Sequence, residues 1–342
     1  MFREIIKSYN FASMRLLQII SVLTILLLLQ SCSDYQKVVK GDNYESKLLT
    51  ADRMYEKESF TKALTLYEQI YQRFPNSAEG QLAYYRMAKS YFAIEDYYMA
   101  GYYFNQFTQR YPSSDNVEEC LFMTAICSVK NSPAPTLDQE ETKVALNDLQ
   151  RFVQRYPNSH LIDSCNSIMD RLRFKLETKQ FNAVELYHKM EKHRAAVAAA
   201  ESFLEEYPQS SYKSEVSFIA FEDAYFLAKR SVFSKKKERL ESAQELYAKY
   251  SESFDDKEVQ RKSSRYLEDV GEELRKVAER YAFEDIQSSF EKSRSSSQQK
   301  KMTYLKETLK RYDNFAEDYP ESKYLDKAKS LKKKAEKELV NI

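Results

Sequence analysis

The tetrapeptide aromatic-Pro-x-Ser recurs five times in this chain: Phe74-Pro75-Asn76-Ser77, Tyr111-Pro112-Ser113-Ser114, Tyr156-Pro157-Asn158-Ser159, Tyr207-Pro208-Gln209-Ser210 and Tyr319-Pro320-Glu321-Ser322. Each copy lies between two stretches of helical periodicity. Proline cannot extend a helix and pushes the residue before it out of the α region, so each copy is a stop. Serine two residues later is a good N-cap for the next helix. The first four prolines are 37, 45 and 51 residues apart. A helix, stop, cap, helix cycle of that length is the signature of stacked helical hairpins.

Aligning each proline with the closing proline of the tetratricopeptide (TPR) unit gives a register. In the second unit Met87-Ala88 and Tyr91 take the first-helix core positions, and Tyr97, Ala100, Phe104 and Phe107 the second-helix ones. Ala51, Phe60, Ala63, Tyr67 and Ile70 do so in the first unit, and Ala183-Val184, Tyr187, Ala196, Ala200 and Phe203 in the fourth. Small residues recur where helices cross closely and aromatics where the next hairpin packs. The consensus Trp is missing, and 27 tyrosines supply much of the bulk.

The third unit places Ala145, Leu149 and Phe152 before Pro157, with an insertion at Ser132-Pro133-Ala134-Pro135. A degenerate fifth runs from Ala243, Tyr247 and Tyr250 to Phe254-Asp255, with the basic stretch 234–239 as its insertion. A sixth candidate ends at Tyr319-Pro320, behind a Ser/Gln-rich loop at 293–300. The expected fold is all-α, a solenoid of about five to six TPR-like hairpins plus a C-terminal helix. Four repeats would occupy 44–211, the degenerate unit 212–281, and an extra hairpin with a Lys-rich terminal helix 282–342. That helix carries Lys323, Lys327, Lys329, Lys332, Lys333, Lys334 and Lys337, a face that either caps the last hairpin or docks on an acidic partner or anionic lipid.

Residues 16–29 form an apolar run of 14 behind Arg15, shorter than the roughly 20 residues that span a bilayer. The run reads as a signal-peptide core, with Met14 a more ordinary start for it than Met1. It ends at Leu29-Gln30-Ser31-Cys32, which has the form of a bacterial lipoprotein box. Removal of 1–31 would leave Cys32 as the lipid-attachment residue, followed by a tether over 32–43. The mature charge would be about −1 against +1 for the whole chain, which offers no concentrated basic footprint for nucleic acid.

Catalytic chemistry finds no support. Gly41, Gly80, Gly101 and Gly271 are isolated, so no phosphate-cradling loop forms. His188 and His193 are five apart, off the helical spacing a metal site needs, and His160 is distant. No Cys-His or Ser-His pair stands out as an activated nucleophile. Cys120 and Cys127 are about 10.5 Å apart by helical rise, too far to bridge, and with Cys165 read as small buried apolar residues. The expectation is no enzyme, no metal and no cofactor. Surface remains: TPR first helices line a groove for extended peptides. Leu48, Asp52, Tyr55, Tyr85, Lys89 and Phe92 take the lining positions. Tyr55, Tyr85, Lys89 and Phe92 are the candidate peptide-binding residues, with Lys89 placed to pair with a carboxylate.

The lipobox, short tether and Tyr-Pro-x-Ser hairpins together resemble the BamD family of outer-membrane-protein assembly lipoproteins, most clearly over 51–114 and more broadly over 32–280. The resemblance implies a non-enzymatic scaffold on the periplasmic face of the outer membrane. Its expected partners are a BamA-like barrel protein and nascent outer-membrane proteins, with no nucleic acid. Residues 281–342 run beyond the usual five-repeat length. Two other classes share features with the chain. A CpoB-like envelope coordinator normally carries a coiled coil before its repeats, whereas here repeats begin within about 12 residues of Cys32. A SusD-like nutrient binder is usually larger and Trp-rich.

Overall fold

A computed structural model describes residues 34–341, and every regular element among them is helical. The signal-peptide and Cys32 expectations lie outside the described residues. The chain divides into two compact units, one up to Leu176 and one from Glu177 onward, the boundary falling inside a single helix. No helix among the described residues is long and apolar enough to cross a membrane.

The first unit holds α1 (Tyr44–Glu56), α2 (Phe60–Arg73), α3 (Ala78–Ala93), α4 (Tyr97–Arg110), α5 (Val117–Asn131), α6 (Glu140–Arg155) and the start of α7 (Ile162–Lys189). Successive helices from α1 to α6 pack against one another, and α7 joins them through Cys165, Met169 and Leu172. The small residues predicted at close crossings, Ala51, Ala63, Ala88, Ala100 and Ala145, are all fully buried. Phe104, Phe107 and Phe152 fill the space between hairpins. Residues 34–40, expected to be a free tether, are helical. The Tyr35 hydroxyl pins them by donating to the Lys62 carbonyl (2.9 Å).

The second unit comprises the end of α7, α8 (His193–Glu206), α9 (Lys213–Lys229), α10 (Phe233–Tyr250), α11 (Lys257–Arg294), α12 (Gln298–Asp318) and α13 (Leu325–Val340). The basic stretch 234–239, read as the insertion of the fifth unit, is helical: it opens α10, and Lys236 pairs with Glu273 of α11 at 2.5 Å. One expectation is corrected here. The loop expected at 293–300 shrinks to 295–297, because α11 continues unbroken to Arg294. Lys, Glu and Arg are good helix formers, so a charged run with no proline extends a helix rather than ending it. The helix α13 packs through Ala328, Leu331, Ala335 and Leu339, which caps the last hairpin.

The recurring tetrapeptide is a β-turn. In all five copies the serine N–H donates to the aromatic carbonyl, from 3.0 to 3.2 Å, with proline at the second position. The aromatic residue is the C-cap of the preceding helix, as expected at Phe74, Tyr111, Tyr156, Tyr207 and Tyr319. The serine, however, is an N-cap only once. Ser77 Oγ accepts from Gly80 N (3.1 Å) at the start of α3. In the other copies the helix starts later, and Ser114, Ser159, Ser210 and Ser322 accept from the N–H two residues on, closing a second small turn.

That serine also ties the turn to the first helix of its own hairpin. Ser114 accepts from Gln81 (2.7 Å), Ser210 donates to Glu177, and Ser322 donates to Glu279. Four residues after each of those glutamates, Phe181 and Phe283 stack on Tyr212 (4.1 Å) and Tyr324 (4.9 Å). The sixth candidate therefore repeats the joint of the fourth.

Three hairpin turns share a device that glycine usually supplies. Glu58, Glu95 and Glu191 have φ of 57°, 62° and 52°. Around Glu95, the Asp96 N–H reaches the Tyr91 carbonyl (3.0 Å) and the Glu95 N–H reaches Phe92 (3.1 Å), a Schellman cap. A non-glycine residue there carries a left-handed penalty. Glu95→Gly is therefore expected to stabilise the protein by about 0.5–1 kcal/mol. A urea titration showing loss of stability would refute this.

Candidate functional site

The face formed by α1, α3 and α5 carries the residues expected to line the groove. Each is held by a specific neighbour. Tyr85 is buried, its ring against Phe107 (5.8 Å), and its hydroxyl donates to Glu119 of α5 (2.6 Å). Lys89 donates to both Tyr85 (3.2 Å) and Glu119 (3.2 Å). Burial lifts the Tyr85 phenol to about 12, with the Glu119 carboxylate adding to it. Burial pulls Lys89 the other way, but Tyr85 and Glu119 outweigh it, so its ammonium is held above the usual range. The Lys89 charge is thus paired with Glu119 at a partly exposed position.

The same triad recurs in the second unit. Tyr225 donates to Asp269 (2.6 Å), while Lys229 donates to both Tyr225 (2.9 Å) and Asp269 (2.6 Å). The bond from Lys229 holds the Asp269 carboxyl below its ordinary range. Two occurrences between successive first helices of hairpins mark a joint of the repeat. Phe92 packs edge-on against Tyr97 (5.3 Å) across the hairpin turn. Tyr55 meets Phe60 (5.4 Å) and Tyr67 (6.5 Å) edge-on, so all four candidates contribute packing as well as surface.

The residue that the sequence reading passed over is Arg86. It lies on α3 beside Tyr85, with its guanidinium over the Tyr55 ring at 4.7 Å. Its Nε is buried and has no hydrogen-bond partner, and no carboxylate among the described residues pairs with it. Nearby, Tyr67 donates to one oxygen of Asp52 (2.6 Å), and the neutral phenol leaves the carboxylate charge in place. Burial and Asp52 push the Tyr67 phenol far up, while the Arg86 charge acts in the opposite sense. Beside its aromatic rings the face thus carries Arg86 and Asp52, a cation and a carboxylate that make no direct ion pair with each other among the described residues.

Elsewhere the polar chemistry is structural. His188 Nδ1 and His193 Nδ1 contact the two oxygens of buried Asp223 at 2.6 and 2.5 Å, clamping the α7–α8 turn onto α9. No group of three His, Cys, Asp or Glu among the described residues is placed to hold a metal. Cys120, Cys127 and Cys165 are free and buried; burial pushes the first two thiols to about 12 and raises the third. A cleft of about 430 Å³ lies between α4, α5 and α6, lined by Tyr97, Tyr98, Tyr102 and Arg151, away from Arg86.

Hairpins joined through first-helix triads, with an aromatic face and no catalytic constellation among the described residues, define a TPR-like repeat protein. Residues 42–240 match the family model YfiO, described as outer membrane lipoprotein, and the chain belongs to that family. This bears out the resemblance drawn from the turns and the lipobox. Two curated relatives are outer membrane protein assembly factors BamD. The one from Pasteurella multocida is 21% identical over 167 residues, covering 45% of this chain and 64% of the relative. The one from Caulobacter vibrioides is 22% identical over 168 residues, covering 49% and 55%. The chain thus spans less than two thirds of either relative. Among solved structures, the TPR domain of P58(IPK) aligns over 85% of this chain and 77% of its own. Its TM-score is 0.32 and its identity 14%, too little to bear on function.

Proposed function

We propose that this chain is a non-enzymatic, lipid-anchored scaffold of outer-membrane β-barrel assembly. In this reading acylated Cys32 holds it on the periplasmic face, a BamA-like barrel protein is its membrane partner, and nascent outer-membrane proteins are its cargo. The observation that carries the reading is the family match over 42–240, which takes in the whole α1–α3–α5 face. Both curated relatives are named assembly factors, in keeping with a scaffold. The face around Tyr55, Tyr85, Lys89 and Phe92 would receive the cargo, with the Tyr85–Lys89–Glu119 triad fixing its shape rather than binding directly.

Purifying tagged full-length protein from membranes tests this. The expected co-purifying species is a barrel protein with periplasmic repeats; reproducible recovery of the chain without one would count against the proposal. Cys32→Ala should shift the protein into the soluble fraction, since acylation supplies stable anchoring. A Cys32→Ala chain still membrane-bound in high salt, without its partner, would remove the anchor from the proposal.

A further inference from the structure

We propose that the exposed side of α13 is a docking surface for an anionic lipid bilayer. It seats through Lys327, Lys329, Lys333, Lys334 and Lys337, with Val340 at its end. This goes beyond the scaffold reading, since α13 lies past residue 240, where the family match stops.

The helix has two sides with separate duties. Ala328, Leu331, Ala335 and Leu339 pack on the last hairpin. At 3.6 residues per turn, Lys329, Lys333, Lys337 and Val340 then line up on the opposite side. Lys327 and Lys334, one heptad apart, run along one edge of that line. All of these lysines are exposed, and Val340 is 87% exposed. From Lys327 to Lys337 the stripe is about 15 Å long, at about 1.5 Å per residue.

The nearby carboxylates are committed to lysines outside the stripe. Lys332, at its margin, takes Asp313 of α12 (2.7 Å), and Lys301 of α12 takes Glu338 (2.9 Å). The stripe lysines make no ion pair among the described residues. Asp326 and Glu336 are the helix's remaining carboxylates, so five lysines stand against two acids, a net +3.

The chemistry of the stripe selects its partner. Each lysine is a strongly hydrated point charge on a flexible stem, without the planar fork that lets arginine recognise a single carboxylate. The helix carries no arginine and no aromatic ring, the residues that anchor protein interfaces. Such a surface suits a plane of many mobile phosphates better than one shaped acidic protein. An exposed valine at the end of a basic helix side adds apolar contact at the headgroup boundary.

Flotation of full-length protein with vesicles tests this, using phosphatidylcholine alone and a mixture rich in phosphatidylglycerol. Each lysine near an anionic surface strengthens association about fivefold, so three seated together give about a hundredfold preference for the anionic vesicles. Raising salt from about 0.1 M to about 1 M should remove most of that preference. Exchanging the stripe lysines together for Gln should abolish it, and Val340→Ser should weaken it. The same exchange at exposed Lys40, Lys57, Lys192, Lys235 and Lys257 should leave most of it. All variants share residues 1–31, so any pull from Arg3, Lys7 and Arg15 cancels in the comparison. Equal losses in the two multiple-lysine variants overturn the docking surface. So does a wild-type protein without the preference, a comparison that needs no substitution and is blind to folding defects. Inorganic phosphate at matched ionic strength should not compete; competition by it would assign the stripe to free phosphate and overturn the bilayer. Binding of soluble polyglutamate through the stripe, with no preference among vesicles, would assign it to an acidic protein and likewise overturn the proposal. Each of these failures leaves the scaffold reading and the Cys32 anchor untouched.

Discussion

Gly80→Ala is expected to destabilise the first unit by about 3 kcal/mol or more, at the upper end of overpacking costs. Gly80 is the third residue of α3, where the helix passes directly over the Phe74-Pro75 turn. A Cβ there would lie 1.8 Å from the Phe74 carbonyl oxygen and 2.8 Å from its carbon. Both atoms are backbone, so no side-chain rotation relieves the clash. The same turn carries the bond from Ser77 N to that oxygen (3.2 Å), and Ser77 in turn caps Gly80 N. Moving the turn therefore breaks the cap, and moving the helix disturbs Ala83 and Met87 in the core behind it. At about 2–4 °C per kcal/mol for a unit of this size, the melting midpoint should fall by roughly 10 °C. Gly271 supplies the internal contrast. It sits within α11, and a Cβ added to it would meet nothing within 4 Å, so Gly271→Ala should stabilise by up to about 1 kcal/mol. Equal midpoints for Gly80→Ala and wild type would show that α3 does not approach the turn so closely.

Much of the fold was legible because its punctuation is local. A Pro one residue after a C-cap acts within its own turn, and Ala100 or Ala145 at a close crossing follows from register alone. What escaped depends on partners far away in sequence. Ser114 looks like the start of α5, but the helix begins at Val117 because Ser114 spends its side chain on Gln81 and on the Asn116 N–H. Glu95 gives no hint of a left-handed turn, since the residue usual there is Gly; packing of the hairpin overrides its preference. Lys89 reads as an open cation until Glu119, thirty residues on, is brought against it. Arg86 had no signal in the register, because repeat positions specify size at the core and say nothing of which charge is left unpaired. The positions of Tyr55, Tyr85, Lys89 and Phe92 on first helices followed from register, and the neighbours that hold them did not.

Asp223→Ala should have the other large effect, a loss of about 3 kcal/mol in the second unit. Asp223 is 1% exposed, and its carboxylate contacts His188 on α7 and His193 on α8. Arg230 fixes the proton arrangement: its guanidinium only donates, so His193 Nε2 accepts from it (2.9 Å) and the His193 proton is on Nδ1, donated to Asp223. Removing the carboxylate leaves that buried N–H without an acceptor and releases the turn, whose Glu191 is also held by Arg230 (2.9 Å). Breaking a buried charged network costs about 3–5 kcal/mol, and the half-open position of His188 places this case at the lower bound. Asp223→Asn tests the tautomer assignment. Its single carbonyl oxygen can serve His193, while its amide donates to His188 Nδ1 if that ring moves its proton to Nε2, toward Glu222 at 4.0 Å. His193 has no such freedom without losing Arg230. The asparagine variant should therefore lose only about 1 kcal/mol, the ordinary value of one hydrogen bond. Nitrogen-resolved NMR of the two imidazoles should show His193 unchanged and His188 switched. Equal losses for the alanine and asparagine variants, or a switched His193, would mean that the clamp is not built around this proton arrangement.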